Sequence, residues 1–593
     1  MNPNRRATRT IGFVLAFYAS AGASSQTLRM PPAAEPHAPQ TYRLDCQAQV
    51  NSDTSLLHSL AAANEILFEA GDRLLLKRGT KCDGSLHPRG SGTETSPIQI
   101  GAYGEGSLPR IEASSAQTAA LALFNQQYWD VSSLELSGSA TYGVSIGGDA
   151  GVLHHLHLRD LLIHDVRGPL KLKESGLLVI NAVGKGAGFD DVQIDGVHAW
   201  NTTQWAGIFV SGASRVRIRN SVAHDVQGDG IVVFESHDAV IARSVAWHTG
   251  MQHQLSIGTP NAIWTWRCTD CLVEENEAFL TDSPGVDGGA FDIDFGNTRN
   301  TVRRNFGHDT VGYCVSVFGA FGPTTASVVA DNLCIHNATS PRLAQRQGAI
   351  LLMTWQRGAL DGVEVRGNRI DWQPPGDTPA IQTGTGLQAG GVALRENEIW
   401  STGVNFVDPA LKYTGEGNRY VLQSADDNDM ALARQRLALL HESDASLSSA
   451  PETLQRSALF GVASANKGTW QLIVSASGTA LDNSDKDALR GTIVLLESAA
   501  LQFGHAGLKA TLTGGPELRS LVQDWRLSES GIRFEETPKA PTAAAVSLIS
   551  PDGKTVREWS EYPGPVELGL ELRQRLGAPD YSHLPIQNVR ATD

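Results

Sequence analysis

The sequence contains an internal repeat, and this repeat restricts the possible folds more than any other feature. Strand-like segments begin at apolar anchors spaced mostly 23 to 35 residues apart, namely Val144, Val179, Ile208, Ile231, Ile263, Phe291, Val315 and Ile350. After each anchor comes a turn, then a second strand that often ends at Asn, then a short third strand that frequently ends at His or His-Asp. Three short strands without a helix cannot bury their apolar side alone, so each unit must stack on its neighbours.

Leucine-rich repeats would show LxxLxL spacing, and propeller blades need four strands and longer units, so neither architecture fits. The pattern resembles the right-handed parallel β-helix of the pectate-lyase-like superfamily over roughly residues 70–423. That resemblance implies a mainly β fold. It does not imply one activity, because the scaffold carries lyases, hydrolases, epimerases and non-catalytic adhesins.

The segments before the repeat predict an exported protein. Three arginines precede the apolar run Ile11–Ala19, and small residues suited to cleavage follow it. We therefore expect a signal peptide at 1–23 and a Pro- and Ala-rich lead-in at 24–53. The mature protein would be secreted or periplasmic. No other long apolar run occurs, so no membrane span is expected.

Residues 54–423 are predicted to form an N-terminal cap followed by the β-helix. Within the cap, Thr54–Ala70 has the spacing of an amphipathic helix. Short strands are expected at Arg73–Lys77, Ile98–Ala102 and Arg110–Glu112, between turns rich in Gly, Ser and Pro. A helix that leads into short strands is suited to covering the exposed end of a solenoid.

Six cysteines fit an oxidising compartment. They form three candidate pairs, Cys46 with Cys82, Cys268 with Cys271, and Cys314 with Cys334. Cys314 and Cys334 could instead be unpaired and buried as small hydrophobic residues. The CxxC pair has no second pair and no His at zinc spacing, so a local disulfide or two thiols is expected rather than a zinc site.

Beyond the repeat, 424–465 is predicted to be a helical linker. Segments then alternate in the order β-α-β-α-β-β-α, which is similar to a thioredoxin-like domain at 466–580, followed by a tail at 581–593. Ala540–Thr542 matches the place where that fold carries a cis proline. The segment Ser475–Ala480 lacks the CxxC of the family, so the resemblance implies a docking or stabilising module, open to a partner protein, rather than a redox domain.

Outward positions one and three residues after the anchors form two columns rich in aromatic residues. The candidate substrate-binding residues are Phe209, Phe234, Trp264, Trp266 and Phe318, with Arg267 beside them. Aromatic rings that point outward leave an apolar patch in water, and flat rings suit the apolar faces of sugars. The alternative is that a loop covers this side. The insertion Thr249–Pro260 could be that cover, a substrate-gripping lid, or both.

Asp292 and Asp294 occupy the same two columns, about 6–7 Å apart at Cα, and Asp287 lies in the turn before them. Like charges this close raise one pKa unless a cation intervenes. One hypothesis is glycoside hydrolysis, with one carboxyl as general acid and another as base or nucleophile. A second is β-elimination, with Ca²⁺ held by the three aspartates next to a uronate. A third is a structural ladder that binds turn amides.

Elimination needs a base, and no lysine occurs between Lys185 and Lys412. His308 followed by Asp309 could be a histidine oriented by a carboxylate. Histidine recurs in the equivalent turn of several units, however, and this recurrence favours a structural role. His253 lies in the insertion, outside the repeat, and is the further candidate for a catalytic base.

The net charge of −15 argues against nucleic acid as a partner. The sequence therefore predicts an exported carbohydrate-active enzyme that cleaves a polysaccharide by hydrolysis or β-elimination on the outward side of the β-helix. The alternative is a non-catalytic glycan-binding or surface-interaction protein, in which the aromatic columns bind sugar and the aspartates have no catalytic role.

Overall fold

Each coil of the repeat contributes one strand to each of three parallel ladders. The computed structural model describes residues 37–49, 56–252, 256–340, 343, 347–374, 376–424, 426–440, 442–449, 468–476, 483–525, 527, 530–537 and 545–584. The predicted signal peptide, most of the lead-in and Ala540–Thr542 lie outside these residues. The chain is mainly β, and its long run of parallel strands is a parallel β-helix.

Sheet I carries the anchors of the repeat. Its strands are Ala119–Phe124, Tyr142–Gly148, Gly176–Ala182, Ala206–Ser211, Ile231–Phe234, Ile263–Trp266, Phe291–Ile293, Val315–Ala320, Ile350–Trp355 and Ile381–Thr383. The register places Ile208, Ile231 and Ile263 side by side. Leu178, rather than the predicted Val179, is the anchor that aligns with Ile208. These aligned side chains fill the core between the sheets.

Sheet II follows sheet I in each central coil. Its strands are Thr41–Leu44, Arg73–Lys77, Ile98–Tyr103, Trp129–Ser137, Val152–Val166, Gly188–Asp195, Ala213–Arg219, His237–Ala242, Leu272–Glu274, Thr301–Arg303, Val328–Ala330, Glu364–Arg366, Ala393–Arg395, Thr414–Glu416 and Glu442–Ser443. Short strands beside the main sheets are Leu56–Leu57, Leu67–Phe68, Arg89–Gly90, Pro323–Thr325, Ala359–Asp361 and Ala389–Gly390.

Sheet III closes each coil. Its strands are Lys81–Asp83, Arg110–Glu112, His198–Thr202, Val222–His224, Val245–Thr249, Glu277–Thr281, Phe306–His308, Leu333–Ile335, Arg369–Trp372, Glu398–Ser401, Arg419–Leu422 and Ser446–Ser449. The long strands Trp129–Ser137 and Val152–Val166 run through both sheet II and sheet III.

The corner between sheets II and III explains why the second strand of each unit ends at Asn. A residue with positive φ, such as Arg304 at 53°, turns the chain there. The following buried asparagines stack into a ladder, Asn276, Asn305, Asn332, Asn368, Asn397 and Asn418. Each amide side chain therefore satisfies polar groups of the neighbouring coil at a bend where the strand ladder is interrupted.

All three candidate cysteine pairs are disulfides. Cys46 bonds Cys82, and Cys268 bonds Cys271 across its short turn. Cys314, directly before the sheet I strand Val315–Ala320, bonds Cys334 of sheet III across the interior of one coil. No free cysteine occurs in the described part of the chain.

The cap differs from its prediction. Helix covers Leu60–Asn64 rather than the whole of Thr54–Ala70, and short strands flank it at Leu56–Leu57 and Leu67–Phe68. These strands pair in parallel with Thr41–Leu44 and Arg89–Gly90, and this pairing overrides the helical periodicity. The three strands predicted for the cap are confirmed.

The β-helix also extends past its predicted end at residue 423. A helix covers Asp427–Leu437, as predicted for the linker, but the strands Glu442–Ser443 and Ser446–Ser449 then add one more coil. This coil consists mostly of polar residues, so it lacks the apolar anchors by which the other coils are detected.

The C-terminal part is a separate α/β layer. Its sheet has the strand order Ile532–Glu536, Leu508–Gly514, Trp470–Ala476, Ala545–Ile549 and Thr555–Trp559. The first three strands are parallel to one another, and Ala545–Ile549 runs antiparallel to both of its neighbours, Trp470–Ala476 and Thr555–Trp559. The helices are Asn483–Phe503, Pro516–Val522 and Gly564–Leu576, and a 3-10 turn covers Tyr581–His583.

The described residues from Pro39 onward form one compact unit, in which this layer packs against sheet III. Among the helices that the structure describes, none has the length and apolar content needed to cross a membrane.

Candidate active site

The outward side of sheet I brings the predicted aromatic and acidic columns together. Trp264 lies directly beside Asp292, and Asp292 lies beside Ser316 of the next coil. The alternate residues Ile263 and Ile293 belong to the interior core. The two-sided strand pattern is therefore confirmed for these coils.

Most of this outward side is covered rather than open to solvent. Phe209, Trp264 and Phe318 are buried, so the prediction that these side chains are exposed is wrong, whereas their role in substrate binding stays a prediction. Phe209 and Trp264 pack with Trp205, and Leu170 and Ile257 lie against this cluster. Ile257 belongs to the insertion, so the alternative of a covering loop describes this region. His253 of the same insertion lies outside the described residues.

A hydrogen-bond chain joins two of the predicted catalytic aspartates. The Asn261 side chain donates Nδ2 to Asp292 Oδ2 at 3.1 Å. Tyr313 contacts both Asn261 Oδ1 at 2.9 Å and Asp287 Oδ1 at 3.1 Å through its hydroxyl. Ser316 donates to the other oxygen of Asp292. Asn261 and Tyr313 thus fix the positions of the Asp287 and Asp292 carboxyls relative to each other.

Asp294 and Asp229 complete the acidic cluster, which consists of Asp229, Asp287, Asp292 and Asp294. Asp294 Oδ1 accepts a hydrogen bond from the Phe295 amide at 2.7 Å, and its Oδ2 makes none within the described residues. Asp229 was not among the predicted site residues. It is fully buried and accepts hydrogen bonds from the backbone N–H of Asn261 at 3.1 Å and from the Trp205 indole.

Burial controls the protonation of the cluster. Burial, followed by the charges of Asp294 and Asp287, raises the pKa of Asp292 well above its usual value. Burial and the charge of Asp287 do the same for the pKa of Asp294. The pKa of Asp287 is also raised by burial, although hydrogen bonds from Thr259 and Tyr313 oppose the shift. Burial raises the pKa of Asp229 to about 6. Burial therefore favours the neutral form of each carboxyl in the cluster, while the hydrogen bonds to Asp287 favour its ionised form.

Lys173 supplies the positive charge of the cluster. Its ammonium lies 5.0 Å from the centre of the Trp205 ring, and its charge lowers the pKa values of Asp229, Asp287 and Asp294. The residue belongs to a loop of an earlier coil, so no local pattern linked it to the aspartates. A side chain at Gly258 would collide with Lys173, so the insertion approaches this lysine closely.

A row of rings that changes from partly buried to exposed, the aromatic strip, runs along the edge of sheet I next to the cluster. It consists of Trp266, Phe295, Phe321 and Trp355, with successive ring centres 6.0, 5.9 and 5.7 Å apart. Phe321 is 58% exposed and Trp355 55% exposed. These rings lie at or beyond the ends of the strands, outside the columns except for Trp266, and for this reason the column analysis missed the other three.

The remaining predicted substrate-binding residues lie at the start of this strip. The Phe234 ring is 5.2 Å from that of Trp266. The Arg267 guanidinium lies 4.3 Å from the centre of the Trp266 ring and pairs with Glu235 at 3.0 Å. The strip therefore combines flat apolar rings with one positive charge, the combination suited to sugar rings that carry hydroxyl or carboxylate groups.

His308 and Asp309 do not belong to this site, so the hypothesis that they act with the aspartates is wrong. His308 lies on sheet III and is fully buried. It bonds Asp309 at 2.8 Å and Glu277 at 3.1 Å, and Arg573 of the C-terminal layer contacts both His308 and Asp309. Successive sheets of a coil face different directions, which separates them from sheet I.

The geometry does not fit the predicted Ca²⁺ site at Asp287, Asp292 and Asp294. Their oxygens, apart from Asp294 Oδ2, already accept hydrogen bonds from protein donors. Within the described residues, the ligand atoms that converge to within 4.8 Å of one another belong to Asp130 and two histidines instead. A calcium site needs six or more oxygen ligands, and these three aspartates do not supply them.

Comparison with known proteins supports the fold. The family model described as "Right handed beta helix region" matches residues 175–371. No match to a curated protein was found.

Similar solved structures include the GH136 lacto-N-biosidase from Eubacterium ramulus, at 21% identity over 61% of this chain and 67% of that one, with a TM-score of 0.47. The mannuronan C-5 epimerase A-module from Azotobacter vinelandii has 14% identity over 57% and 89%, with a TM-score of 0.36. The alginate lyase from Paenibacillus sp. str. FPU-7 has 13% identity over 60% and 99%, with a TM-score of 0.28. Similarity at this level does not identify an activity. The chain is mainly β, and the family match and the long parallel ladders are together consistent with a right-handed parallel β-helix.

Proposed function

We propose that the protein cleaves a polysaccharide by glycoside hydrolysis at the acidic cluster of sheet I. The observation that carries this proposal is a group of aspartates with raised pKa values next to the aromatic strip. Hydrolysis needs one protonated and one ionised carboxyl, and an environment that separates two pKa values assigns the two roles.

Asp294 is the proposed general acid. Its carboxyl is held neutral by burial and by the charge of Asp287, and its Oδ2 is not engaged by the described residues. Asp287 is the proposed base or nucleophile, because hydrogen bonds from Thr259 and Tyr313 favour its ionised form. Asp292 is more deeply buried, and its proposed role is to maintain the charge balance of the cluster.

The aromatic strip would hold the glycan. Its exposed rings, Phe321 and Trp355, lie on successive coils, so a chain bound across them would run along the axis of the β-helix. Arg267 at the inner end would contact a hydroxyl or a carboxylate of the sugar nearest the aspartates.

Two alternatives have specific support. β-Elimination is favoured by Lys173, a cationic group beside the aspartates that could neutralise a uronate. A non-catalytic glycan-binding protein is favoured by the burial of Asp292 and Trp264 beneath the insertion, because cleavage would require this cover to move.

The test is incubation of the wild type and of Asp294→Asn and Asp287→Asn with neutral and acidic polysaccharides, with and without EDTA. New reducing ends without unsaturated-uronate absorbance, lost about 100-fold or more in both variants, support hydrolysis. Asp361→Asn, a change at an exposed aspartate of the short strand Ala359–Asp361 outside the acidic cluster, is the control and should retain activity. Unsaturated product would indicate elimination instead.

A binding measurement on the same polysaccharides separates the remaining alternative. Trp355→Ala should weaken binding about tenfold, whereas Phe124→Ala, equally exposed at the far end of sheet I, should not. Binding that depends on Trp355 without cleavage supports the non-catalytic protein. Neither cleavage nor binding across the panel contradicts both.

For the C-terminal layer we propose a thioredoxin-like domain without redox function. Support comes from its strand order, in which Trp470–Ala476 pairs in parallel with Leu508–Gly514 and antiparallel with Ala545–Ile549. Its packing on sheet III supports a stabilising role, and a partner protein remains a prediction. Assignment to the pectate-lyase-like superfamily is likewise a proposal.

We also propose that the protein is secreted or periplasmic. The N-terminal pattern of basic and apolar residues supports export, and the three disulfides support an oxidising compartment.

A further inference from the structure

A group of histidines and aspartates lies on sheet II, apart from the acidic cluster of sheet I. Asp130 on Trp129–Ser137 lies directly beside His157 on Val152–Val166. His155 precedes His157 by two residues, at a corner where its φ is 55°. Asp191 occupies the matching corner of the next coil, with φ 64°. The side chains of His155 and Asp191 therefore point toward side chains of the adjoining strands.

The imidazole rings of His155 and His157 have a carboxylate close by on each of two opposite sides. On one side, Asp130 Oδ1 lies 3.0 Å from His155 Nε2 and 3.6 Å from His157 Nδ1. On the other, Asp191 Oδ2 lies 3.0 Å from His157 Nε2 and 3.5 Å from His155 Nδ1. Each imidazole is therefore held between the two carboxylates.

We propose that Asp130, His155 and His157 bind a divalent first-row transition-metal ion such as Zn²⁺, with Asp191 orienting the two imidazoles. Zinc binds His nitrogens and Asp oxygens at about 2.0–2.2 Å, so the donors of a tetrahedral site lie about 3.3 Å apart. The separations of 3.0 and 3.6 Å around Asp130 Oδ1 bracket this value.

The role of Asp191 follows from its position on the far side of both rings. A metal-bound histidine normally donates its second ring N–H to a carboxylate, which fixes the tautomer and raises the basicity of the ligating nitrogen. Asp191 Oδ2 is hydrogen-bonded to His157 Nε2 at 3.0 Å and lies 3.5 Å from His155 Nδ1. Asp191 is anchored by Gln193, whose side-chain amide donates to its Oδ1 at 2.9 Å. Asp191 and Gln193 are thus placed to fix the orientation of the two histidine ligands.

The site is open on one side, which leaves a fourth position for water or an exchangeable ligand. The side chains of His155, His157 and Asp130 are 19%, 26% and 32% exposed. The two rings lie 3.7 Å apart and are inclined by 28°. A further small rotation of these partly exposed side chains aims both nitrogens at a shared ion near Asp130, at a cost that ion binding offsets.

Calorimetric titration of the full chain with Zn²⁺ after removal of metals tests the proposal, together with Co²⁺ absorption spectra. One saturable equivalent and a Co²⁺ spectrum typical of tetrahedral nitrogen and oxygen ligands are expected. His155→Ala and His157→Ala should abolish binding, and Asp191→Asn should weaken it about 10- to 100-fold.

The matched control is His154→Ala. His154 adjoins the site in sequence but pairs with Asp190 at 3.1 Å, so its loss should leave Zn²⁺ affinity unchanged. Zn²⁺ should also raise the midpoint of thermal unfolding of the wild type, and not that of His157→Ala. Absence of saturable Zn²⁺ binding by the wild type, or equal loss in His154→Ala, would overturn the proposal.

Discussion

At the scale of single residues, the acidic cluster costs stability. Asp292 and Asp294 are buried with raised pKa values, so the folded protein disfavours their ionised forms relative to the unfolded chain. The network of Asn261, Tyr313 and Ser316 holds these carboxyls in place despite the cost. Such an arrangement is expected where selection acts on function rather than on stability.

Asp294→Asn should therefore stabilise the fold, and the gain should grow with pH. A raised pKa means that stability falls as pH rises from the unfolded value of about 4 toward the folded value, and the loss is complete above it. Asn does not titrate and can keep the bond from the Phe295 amide. We expect a gain of about 1–3 kcal/mol at pH 8 and almost none at pH 4.

Thermal unfolding of the wild type and Asp294→Asn across this pH range is the measurement. The exposed control Asp361→Asn should follow the wild type. A variant less stable than the wild type at pH 8 would show that the Asp294 carboxylate is stabilised in the fold.

The sequence predicted that Trp264 and Asp292 point outward from sheet I, but it did not predict which residues surround them. Alternation along Ile263–Trp266 and Phe291–Ile293 is a local property, so the columns of Trp264 and Asp292 could be read directly. Their burial depends on the insertion, and the charge of Lys173 arrives from a loop of an earlier coil. Neither contact leaves a periodic signal.

At the scale of elements, the asparagine ladder determines where each coil turns from sheet II to sheet III. Asn332 donates its side-chain amide to Asn368 Oδ1 and to the Val302 carbonyl, both at 3.0 Å. Its Oδ1 accepts from the amide and the side chain of Asn305. The recurring terminal Asn was visible in the sequence, although its direction into the coil was not.

Asn332→Ala should destabilise the β-helix by about 2–4 kcal/mol, because it leaves buried donors of Asn305 and the Val302 carbonyl with fewer partners. Chemical unfolding followed by circular dichroism is the measurement. Asn181→Ala, at a half-buried position of sheet I, is the control and should cost less than about 1 kcal/mol. Equal losses in the two variants would contradict a special role for the ladder.

At the scale of the whole molecule, the C-terminal layer packs along sheet III. Arg78 pairs with Asp524 at 2.6 Å, and Arg490 pairs with Asp195 at 2.7 Å. Farther along, Ser498 and Gln502 donate to the buried Glu277, at 2.5 and 2.7 Å. The partners are hundreds of residues apart in the chain, so the surface on which the layer rests could not be predicted from the sequence. The predicted order β-α-β-α-β-β-α also lacked the strand Ile532–Glu536 at the edge of the sheet.

Arg573→Ala should loosen this packing. Burial opposes ionisation of Asp309, but Arg573 and the hydrogen bonds from His308 and His336 hold the pKa of Asp309 well below its usual value. Removal of the guanidinium leaves a buried carboxylate without its main partner, at a cost of about 3–5 kcal/mol. Hydrogen exchange should rise in Phe306–His308, beneath the layer.

Arg575→Ala is the control, because Arg575 is exposed on the same helix and pairs locally with Glu571. Since the pKa of Asp309 is depressed, its stabilisation is complete above about pH 4 and declines as pH falls further. Acid should therefore loosen the packing of the wild type. Unchanged exchange in Arg573→Ala would contradict this account.

The C-terminal layer also changes how the solenoid can come apart. A stack of coils tied only to nearest neighbours can fray from its ends one rung at a time. Here the C-terminal layer forms ion pairs with coils as far apart as those that contain Arg78 and Asp309. The coils between these two contacts can unfold only after the C-terminal layer has detached. Thermal unfolding of this region should therefore be cooperative rather than proceed coil by coil from the ends.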